Sequence, residues 1–409
     1  MNGGPSNGER PMAHQAILLA GATGLSQVLV AVLYLFAARG VGPEAFGSVV
    51  SAIALGTAAA GFIDFGTNNH WTRELARQAL GRDVFATRLF SKIAITVVLA
   101  VVWTVVLVIA APASHLWLAG PIAAALVANQ AYQVPLRSAA RGDLVALVIL
   151  SDRASASAFF FGLLAVQVPS TVALWIALAA GSVLASVLGS SLGPGRAVRI
   201  RPRLVNPWVG ARYFGITVVA TSAQSLDLSL LSAVSGSAAS GVYGAVSRWT
   251  QPMSLLAAAF SSALAPYAAR SPDLRTAWTE LRRALWMPLA AIGLAIAVFF
   301  AAPLVVDVLL GDDYAGSAGV LRLLALVVIP SIICQPLVVI LQAFGRDRYV
   351  ALVMVIAAIV QLVLVLVLGH ANGALGAGQA ALASQLLILI ALTAGVLHFR
   401  STASKEARQ

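Results

Sequence analysis

Residues 350–368 read VALVMVIAAIVQLVLVLVL, a run in which Gln361 is the single polar side chain. A helix needs about 20 mostly apolar residues to cross the hydrocarbon core of a bilayer. Hydrophobic residues make up 60% of the 409 positions and charged residues only 10%, whereas soluble domains are about half apolar and a quarter charged. The chain is therefore predicted to be an all-α polytopic membrane protein, because only helices or closed barrels satisfy the backbone within lipid.

Working outward from this run, similar stretches recur along the whole chain. They predict about twelve transmembrane helices, at 16–38, 47–64, 91–111, 116–136, 144–166, 171–192, 213–234, 240–267, 285–306, 317–343, 349–369 and 373–398. The first run is too long for a removable signal peptide and lacks a convincing cleavage site. The connections between the runs are too short to form a separate soluble domain.

The net charge of +11 follows an alternating pattern along the spans. With the N-terminus in the cytoplasm, all but four of the 26 basic residues fall in cytoplasmic segments; the exceptions are Arg39, Arg153, Arg248 and Arg322. This distribution is the positive-inside pattern and predicts a multi-pass inner-membrane protein with both termini in the cytoplasm. The basic charge is thus assigned to topology and to anionic lipid headgroups, and nucleic acid is not expected as a partner.

Two sequence segments repeat at equivalent points of the two halves. Gly42–Gly47 recurs as Gly236–Gly241 at an offset of 194, and Arg141–Val148 recurs as Arg346–Val353 at an offset of 205. The repeats predict two pseudo-symmetric six-helix bundles, related by an axis along the membrane normal. The predicted organisation is an N-terminal lobe (1–193), a cytoplasmic basic linker (194–207) and a C-terminal lobe (208–409).

Polar side chains inside the first span of each half follow one helical face. In the first half they include Gln27 and Tyr34, and the segment 194 residues later contains Thr221 and Gln224. Such a stripe is expected either to line a wet cavity between the halves or to make ordinary interhelical hydrogen bonds. We treat these four side chains as candidate substrate-binding residues.

The charged residues in the spans are stronger candidates. Asp227 and Arg248 lie about ten and eleven residues on either side of a turn centred near residue 237, which places both near the bilayer centre. An Arg at that depth is costly, so Asp227 is its expected counter-ion. One interpretation is a neutralised pair that only holds the two helices together. The other is that Arg248 is a cation in the cavity, suited to bind phosphate, and that Asp227 modulates its charge.

Asp152 and Arg153 add charge to the fifth span. Neighbouring residues point about 100° apart, so the two need not pair, and Arg153 is expected either in the cavity or extending toward the cytoplasm. Asp64, near the inner end of the second span, is interpreted as a capping or interfacial group. Asn129 and Gln133 are interpreted as structural hydrogen-bonding residues.

The sequence offers no sign of an active site. The single cysteine, Cys334, excludes an intramolecular disulfide, and the five histidines show no metal-binding spacing. No Gly-Lys-Ser/Thr phosphate-binding loop is present. The sequence predicts no catalytic residues, metal or cofactor, and a protein that is not an enzyme.

Several segments, in order, resemble bacterial polysaccharide (O-antigen type) flippases of the multidrug/oligosaccharidyl-lipid/polysaccharide (MOP) exporter superfamily. They are Ala38–Gly47, Asp64–Gly66, Leu226–Arg248, Leu310–Tyr314, Leu321–Ala325 and Gln342–Arg346. The resemblance implies two bundles around a central cavity, alternating access, and a polyprenyl-diphosphate-linked saccharide as substrate, with Arg248 as the cationic cavity residue. The first span departs from the peptidoglycan-precursor branch by having no arginine, and from cation-coupled exporters by having no acid.

The expected function is therefore flipping of a lipid-linked oligosaccharide for cell-surface polysaccharide biosynthesis. The expected partners are this substrate, membrane lipids and other membrane proteins of polysaccharide assembly. Two alternatives stay open at this point: an ion-coupled multidrug exporter of the same fold, and a non-transporting scaffold of a polysaccharide assembly complex.

Overall fold

The computed structural model describes residues 12–112, 114–193, 203–250, 286–343 and 346–406. This part of the chain is nearly all helical and contains no strand. The first half forms α1 to α8: Met12–Arg39, Pro43–Asp64, Thr67–Ala76, Arg82–Ala110, Ala119–Tyr132, Val134–Ser138, Gly142–Ala165 and Ser170–Leu192. The second half forms α9 to α13: Arg212–Gln224, Asp227–Ser247, Trp286–Leu310, Ser317–Ala343 and Asp347–Glu406.

Nine helical segments of the described chain are long and apolar enough to cross a membrane, and two of these contain a reversal of the chain. In α10 the reversal is at Gly236, whose φ of 85° favours glycine. The hydroxyl of Tyr243 lies 3.0 Å from Asp227 Oδ2, although 16 residues of straight helix would separate them by about 24 Å. The α10 segment is therefore a helical hairpin.

The same argument applies to α13 at Gly373, where φ is 57°. The Ser384 hydroxyl donates to the Ala357 carbonyl at 3.0 Å, across 27 residues of sequence. Both reversals fall where the sequence predicts a turn between two spans. The predicted polytopic all-α fold is confirmed, while 251–267 of the eighth predicted span and 194–202 of the predicted linker lie outside the described residues.

Two predicted boundaries are wrong. The third span begins at Arg82 instead of residue 91 and is preceded by a short helix, α3, in a segment expected to be a polar loop. The fourth span is a 3₁₀ turn at His115–Leu118 followed by α5 and α6, with a break beside Pro135. Proline has no N–H for the helical ladder, and here Pro135 stands in the first turn of α6, a position that a helix tolerates.

The two halves meet most closely where α2 crosses the second arm of the α10 hairpin. A Cβ added to Gly241 would lie 1.8 Å from the Pro43 carbonyl oxygen, and one added to Gly47 would lie 1.8 Å from that of Ser237. Gly47 and Gly241 are equivalent positions of the 194-residue repeat. The two repeat segments thus pack against each other reciprocally, with backbone close to backbone, as small residues allow between membrane helices.

Hydrogen bonds and aromatic rings extend this contact. The Ser51 and Ser240 hydroxyls are 3.0 Å apart, and the Ser229 hydroxyl donates to the Ser51 carbonyl at 2.8 Å. Close to the turn before α2, the Tyr314 hydroxyl donates to the Val41 carbonyl at 3.1 Å, and its ring packs edge-on against Phe46. The buried core therefore runs across both halves.

We predict that Gly241→Val lowers the thermal unfolding midpoint of the detergent-solubilised protein strongly, because the added side chain forces α2 and α10 apart. Overpacking of this kind costs about 1–3 kcal/mol or more. The matched control is Gly42→Ala, since Gly42 has a φ of −70° and an added Cβ would meet no atom within 4 Å. Equal midpoints for the two variants would contradict the close-contact assignment.

Candidate functional site

Arg248 and Tyr34, two of the predicted site residues, are brought together from opposite halves. The guanidinium carbon of Arg248 lies 5.4 Å from the centroid of the Tyr34 ring. Tyr34 is only 1% exposed and packs edge-on against Phe46 at 6.0 Å between ring centroids. A cation over an aromatic face is stabilised by the ring's quadrupole, by about 0.5–2 kcal/mol depending on desolvation.

The predicted direct ion pair between Asp227 and Arg248 is wrong. Asp227 Oδ2 instead accepts a hydrogen bond from the Tyr243 hydroxyl at 3.0 Å, and Oδ1 accepts from the Leu228 N–H at 2.7 Å. The two charged groups lie near enough for Arg248 to act electrostatically on Asp227, but they do not come within salt-bridge distance. The Tyr243 phenol lies on the same hairpin as Asp227 and takes the place beside the carboxylate that Arg248 was expected to occupy.

Arg248 consequently keeps unused hydrogen-bond donors. Its Nε atom is buried and has no hydrogen-bond partner among the described residues. Buried polar groups are nearly always paired, so an orphaned donor calls for a ligand or a function. A guanidinium whose N–H donors have no partner in the described chain, at a contact between the two halves, can donate to two oxygens of an anion at once.

The remaining stripe residues are placed without contact to this pair. Thr221 is exposed, and its hydroxyl donates to the Thr217 carbonyl of its own helix at 3.0 Å. Gln27 and Gln224 are partly buried, and neither amide makes a hydrogen bond within the described residues. Their amides are therefore unused by the described chain, whereas the Thr221 hydroxyl bonds within its own helix and makes no interhelical hydrogen bond among the described residues.

Asp152 and Arg153 pair with each other, an outcome that the sequence had left open. Arg153 Nη2 lies 3.5 Å from Asp152 Oδ2. Asp152 also accepts hydrogen bonds from Asn129 at 2.9 Å and Ser182 at 3.3 Å. With 4% of its surface exposed, Asp152 is a buried acid whose lone pairs are taken by the protein.

The hydrogen bonds continue from Asp152 toward the end of the bundle. Gln133 donates to Asn129 Oδ1 at 2.9 Å, and Arg137 donates to Gln133 Oε1 at 2.9 Å. The expected structural roles of Asn129 and Gln133 agree with these bonds. These hydrogen bonds connect Asp152 through Asn129 and Gln133 to Arg137.

A second buried cluster was missed from the sequence. Lys92 is fully buried, although its charge was assigned to a cytoplasmic segment. Its ammonium contacts Asp64 Oδ1 at 2.5 Å, Thr67 Oγ1 at 2.7 Å and Asn68 Oδ1 at 3.1 Å. Its position inside the predicted span 91–111 was the signal that should have marked it as buried.

Asp64 has the capping role expected of it. Its Oδ1 accepts the Asn68 N–H at 3.2 Å and the Thr67 hydroxyl at 2.9 Å, which satisfies donors in the first turn of α3. Lys92 then neutralises the carboxylate, so that both charges are buried as a pair. In the described part of the chain, no three His, Cys, Asp or Glu residues lie close enough to hold a metal ion.

We predict that Lys92→Met destabilises the protein by about 3–5 kcal/mol, because it leaves the Asp64 charge buried without a partner. The double variant Lys92→Met/Asp64→Asn should recover most of this loss, since Asn keeps an acceptor for α3 and carries no charge. Unfolding free energies measured in mixed detergent micelles test both.

The matched control for this prediction is the exposed pair of Arg141 and Asp143, whose atoms Nε and Oδ1 lie 3.0 Å apart. This hydrogen bond raises the pKa of Arg141 above its usual range. Arg141→Ala should still cost far less than Lys92→Met, because solvent screens an exposed pair. Similar losses for Arg141→Ala and Lys92→Met would contradict the buried-pair assignment.

Comparison with known proteins gives similarity in structure only. No protein-family model matches the chain, and no curated protein matches it in sequence. The chain is similar to an inward closed structure of the lipid II flippase MurJ, with a TM-score of 0.75 and 14% identity over 93% of this chain and 87% of that one.

Exporters of the same superfamily are also similar. An inward-facing multidrug resistance MATE family transporter has a TM-score of 0.67 and 15% identity, over 96% of this chain and 99% of that chain. A MOP superfamily transporter from Pyrococcus furiosus, with a binding pocket described as reversed in polarity, has a TM-score of 0.60 and 16% identity, over 96% and 95% of the two chains. The chain therefore shares the overall helical fold of these solved structures.

Proposed function

We propose that the protein flips a polyprenyl-diphosphate-linked saccharide across the inner membrane, for cell-surface polysaccharide biosynthesis, by alternating access. The observation that carries the proposal is the guanidinium of Arg248, which rests on Tyr34 with hydrogen-bond donors unused by the described chain. A diphosphate is the part of such a lipid that matches this group in charge and geometry.

The surroundings of Arg248 support binding that can be reversed. Asp227 acts on Arg248 through space without occupying its donors, so the cation is partly balanced and still open to an incoming anion. Tyr34 fixes the guanidinium from the opposite half of the sequence. A ligand that binds Arg248 therefore affects the contact between α1 and α10, and it favours whichever arrangement of the halves gives the stronger contacts.

In this proposal the lobes are residues 1–193 and 208–409, joined by the basic linker 194–207. The saccharide passes between them while the lipid tail stays in the bilayer, and Gln27 and Gln224 offer free amides to sugar hydroxyls. Arg153 and Asp152 are assigned to the stability of the first half, because their polar atoms are engaged with each other and with neighbours. The fold that this chain shares with the lipid II flippase supports a lipid-linked substrate over a soluble one.

We predict that Arg248→Ala lowers the initial rate of flipping about 10- to 100-fold at subsaturating substrate, the equivalent of one lost charge-assisted contact of about 1.5–3 kcal/mol. Arg248→Lys keeps the charge without the bidentate geometry and should fall between Arg248→Ala and wild type. The assay is exposure of a defined polyprenyl-diphosphate oligosaccharide to a membrane-impermeant reagent in proteoliposomes.

The matched control is Arg322→Ala, because the Arg322 guanidinium also rests on an aromatic ring, that of Phe299 at 5.8 Å, but at an exposed position. This variant should keep the wild-type rate. Wild-type flipping by correctly inserted Arg248→Ala protein would overturn the proposal and favour the scaffold alternative. Efflux of hydrophobic cations that is lost in Asp227→Asn would favour the ion-coupled exporter.

A further inference from the structure

We propose that a groove beside α4, remote from Arg248, binds one anionic phospholipid from the surrounding bilayer. The groove is a cavity of about 790 Å³ between α4, the end of α5 with α6, the end of α8 and the loop after α3. This volume is in the range that accommodates a single small ligand. We call it the α4 groove.

The walls of the α4 groove are predominantly apolar. Phe85, Leu89 and Ile93 line it from α4, and their four-residue spacing places them on one face of that helix. Pro135 and Gly189 form part of the opposite wall. These walls suit hydrocarbon, and the polar side chains of the lining (Gln78, Arg82, Tyr132, Ser138 and Ser190) are a minority among its residues.

The groove is placed where lipid can enter it. The α4 helix is a peripheral span: Val98, Val101 and Val102 are each more than half exposed, at 60%, 55% and 53%. Exposed valines in a transmembrane helix face acyl chains. The same helix thus borders the bilayer with one face and the groove with another, so an acyl chain passes from one to the other without crossing water.

The charge at one end of the groove selects the headgroup. Arg82, which lines the groove, is the first residue of α4, and no side chain caps the N-terminus of that helix at Gly81. A free helix N-terminus and a guanidinium both attract phosphate. Asp83 carries the opposite charge but is not among the lining residues, so Arg82 is the charged side chain that the groove presents. Basic sites of this kind prefer anionic lipids to zwitterionic ones.

The test is native mass spectrometry of the full chain released from nanodiscs that contain phosphatidylglycerol and phosphatidylcholine in equal amounts. Wild type should retain one phosphatidylglycerol. Ala86→Trp, which fills the groove, should reduce this occupancy at least about tenfold. Arg82→Gln should keep a lipid but lose about fivefold in the preference for phosphatidylglycerol, the effect expected of one basic residue near a headgroup.

The matched controls are Val98→Trp, on the lipid-facing side of the same helix, and Arg39→Gln, at the opposite end of the bundle. Both should retain the lipid as wild type does, and all variants are compared at equal thermal stability in detergent. Equal lipid loss in Val98→Trp and Ala86→Trp would overturn the groove as the binding site. Equal retention of the two phospholipids by wild type, or replacement of phosphatidylglycerol by added polyprenyl diphosphate, would overturn the assigned occupant.

Discussion

The close approach of α2 and the α10 hairpin is the constraint on which the rest of the molecule depends. Lipid offers little hydrophobic driving force between helices, so the halves must be held by packing and hydrogen bonds. Gly47 and Gly241 remove the side chains that would keep the backbones apart, and Ser51, Ser229 and Ser240 then reach partners across the contact. The two glycines are equivalent positions of the predicted repeat, so matching sequence segments lie on both sides of the contact.

This contact also determines the surroundings of the candidate site. Tyr314, Phe46 and Tyr34 form successive T-shaped ring contacts, and Tyr34 presents its face to Arg248. Arg248 follows directly from the arm of α10 that packs on α2. Its guanidinium is therefore positioned by the junction between the halves, and a change in that junction would change what the guanidinium can bind. Ligand binding can shift the arrangement of the two halves only if the ligand contacts a group, here Arg248, whose position depends on that arrangement.

The first half has a different polar organisation. Its buried charges, at Lys92 with Asp64 and at Arg153 with Asp152, are matched and surrounded by hydrogen bonds. Breaking such pairs is costly, so they favour a rigid first half with its charges already satisfied. The Arg248 Nε atom, which has no hydrogen-bond partner in the part of the chain that the structure describes, stands out against this background. A charged residue whose polar atoms all have protein partners is interpreted as structural, whereas one with unused donors is a candidate binding group.

The sequence by itself determined the spans, the two hairpin turns, the repeat and the positions of Asp227 and Arg248 on either side of the turn at Gly236, because hydropathy and glycine placement act locally along the chain. Tertiary structure alone decided which polar groups meet. Asp227 pairs with Tyr243, Lys92 is buried against Asp64, and Arg153 turns to Asp152. These choices depend on the rotation of each helix about its axis and on the reversal at Gly236, where a few degrees move a side chain from one partner to another. The position of a residue along a helix axis can be counted from the sequence, whereas the direction in which its side chain points around that axis is set by packing.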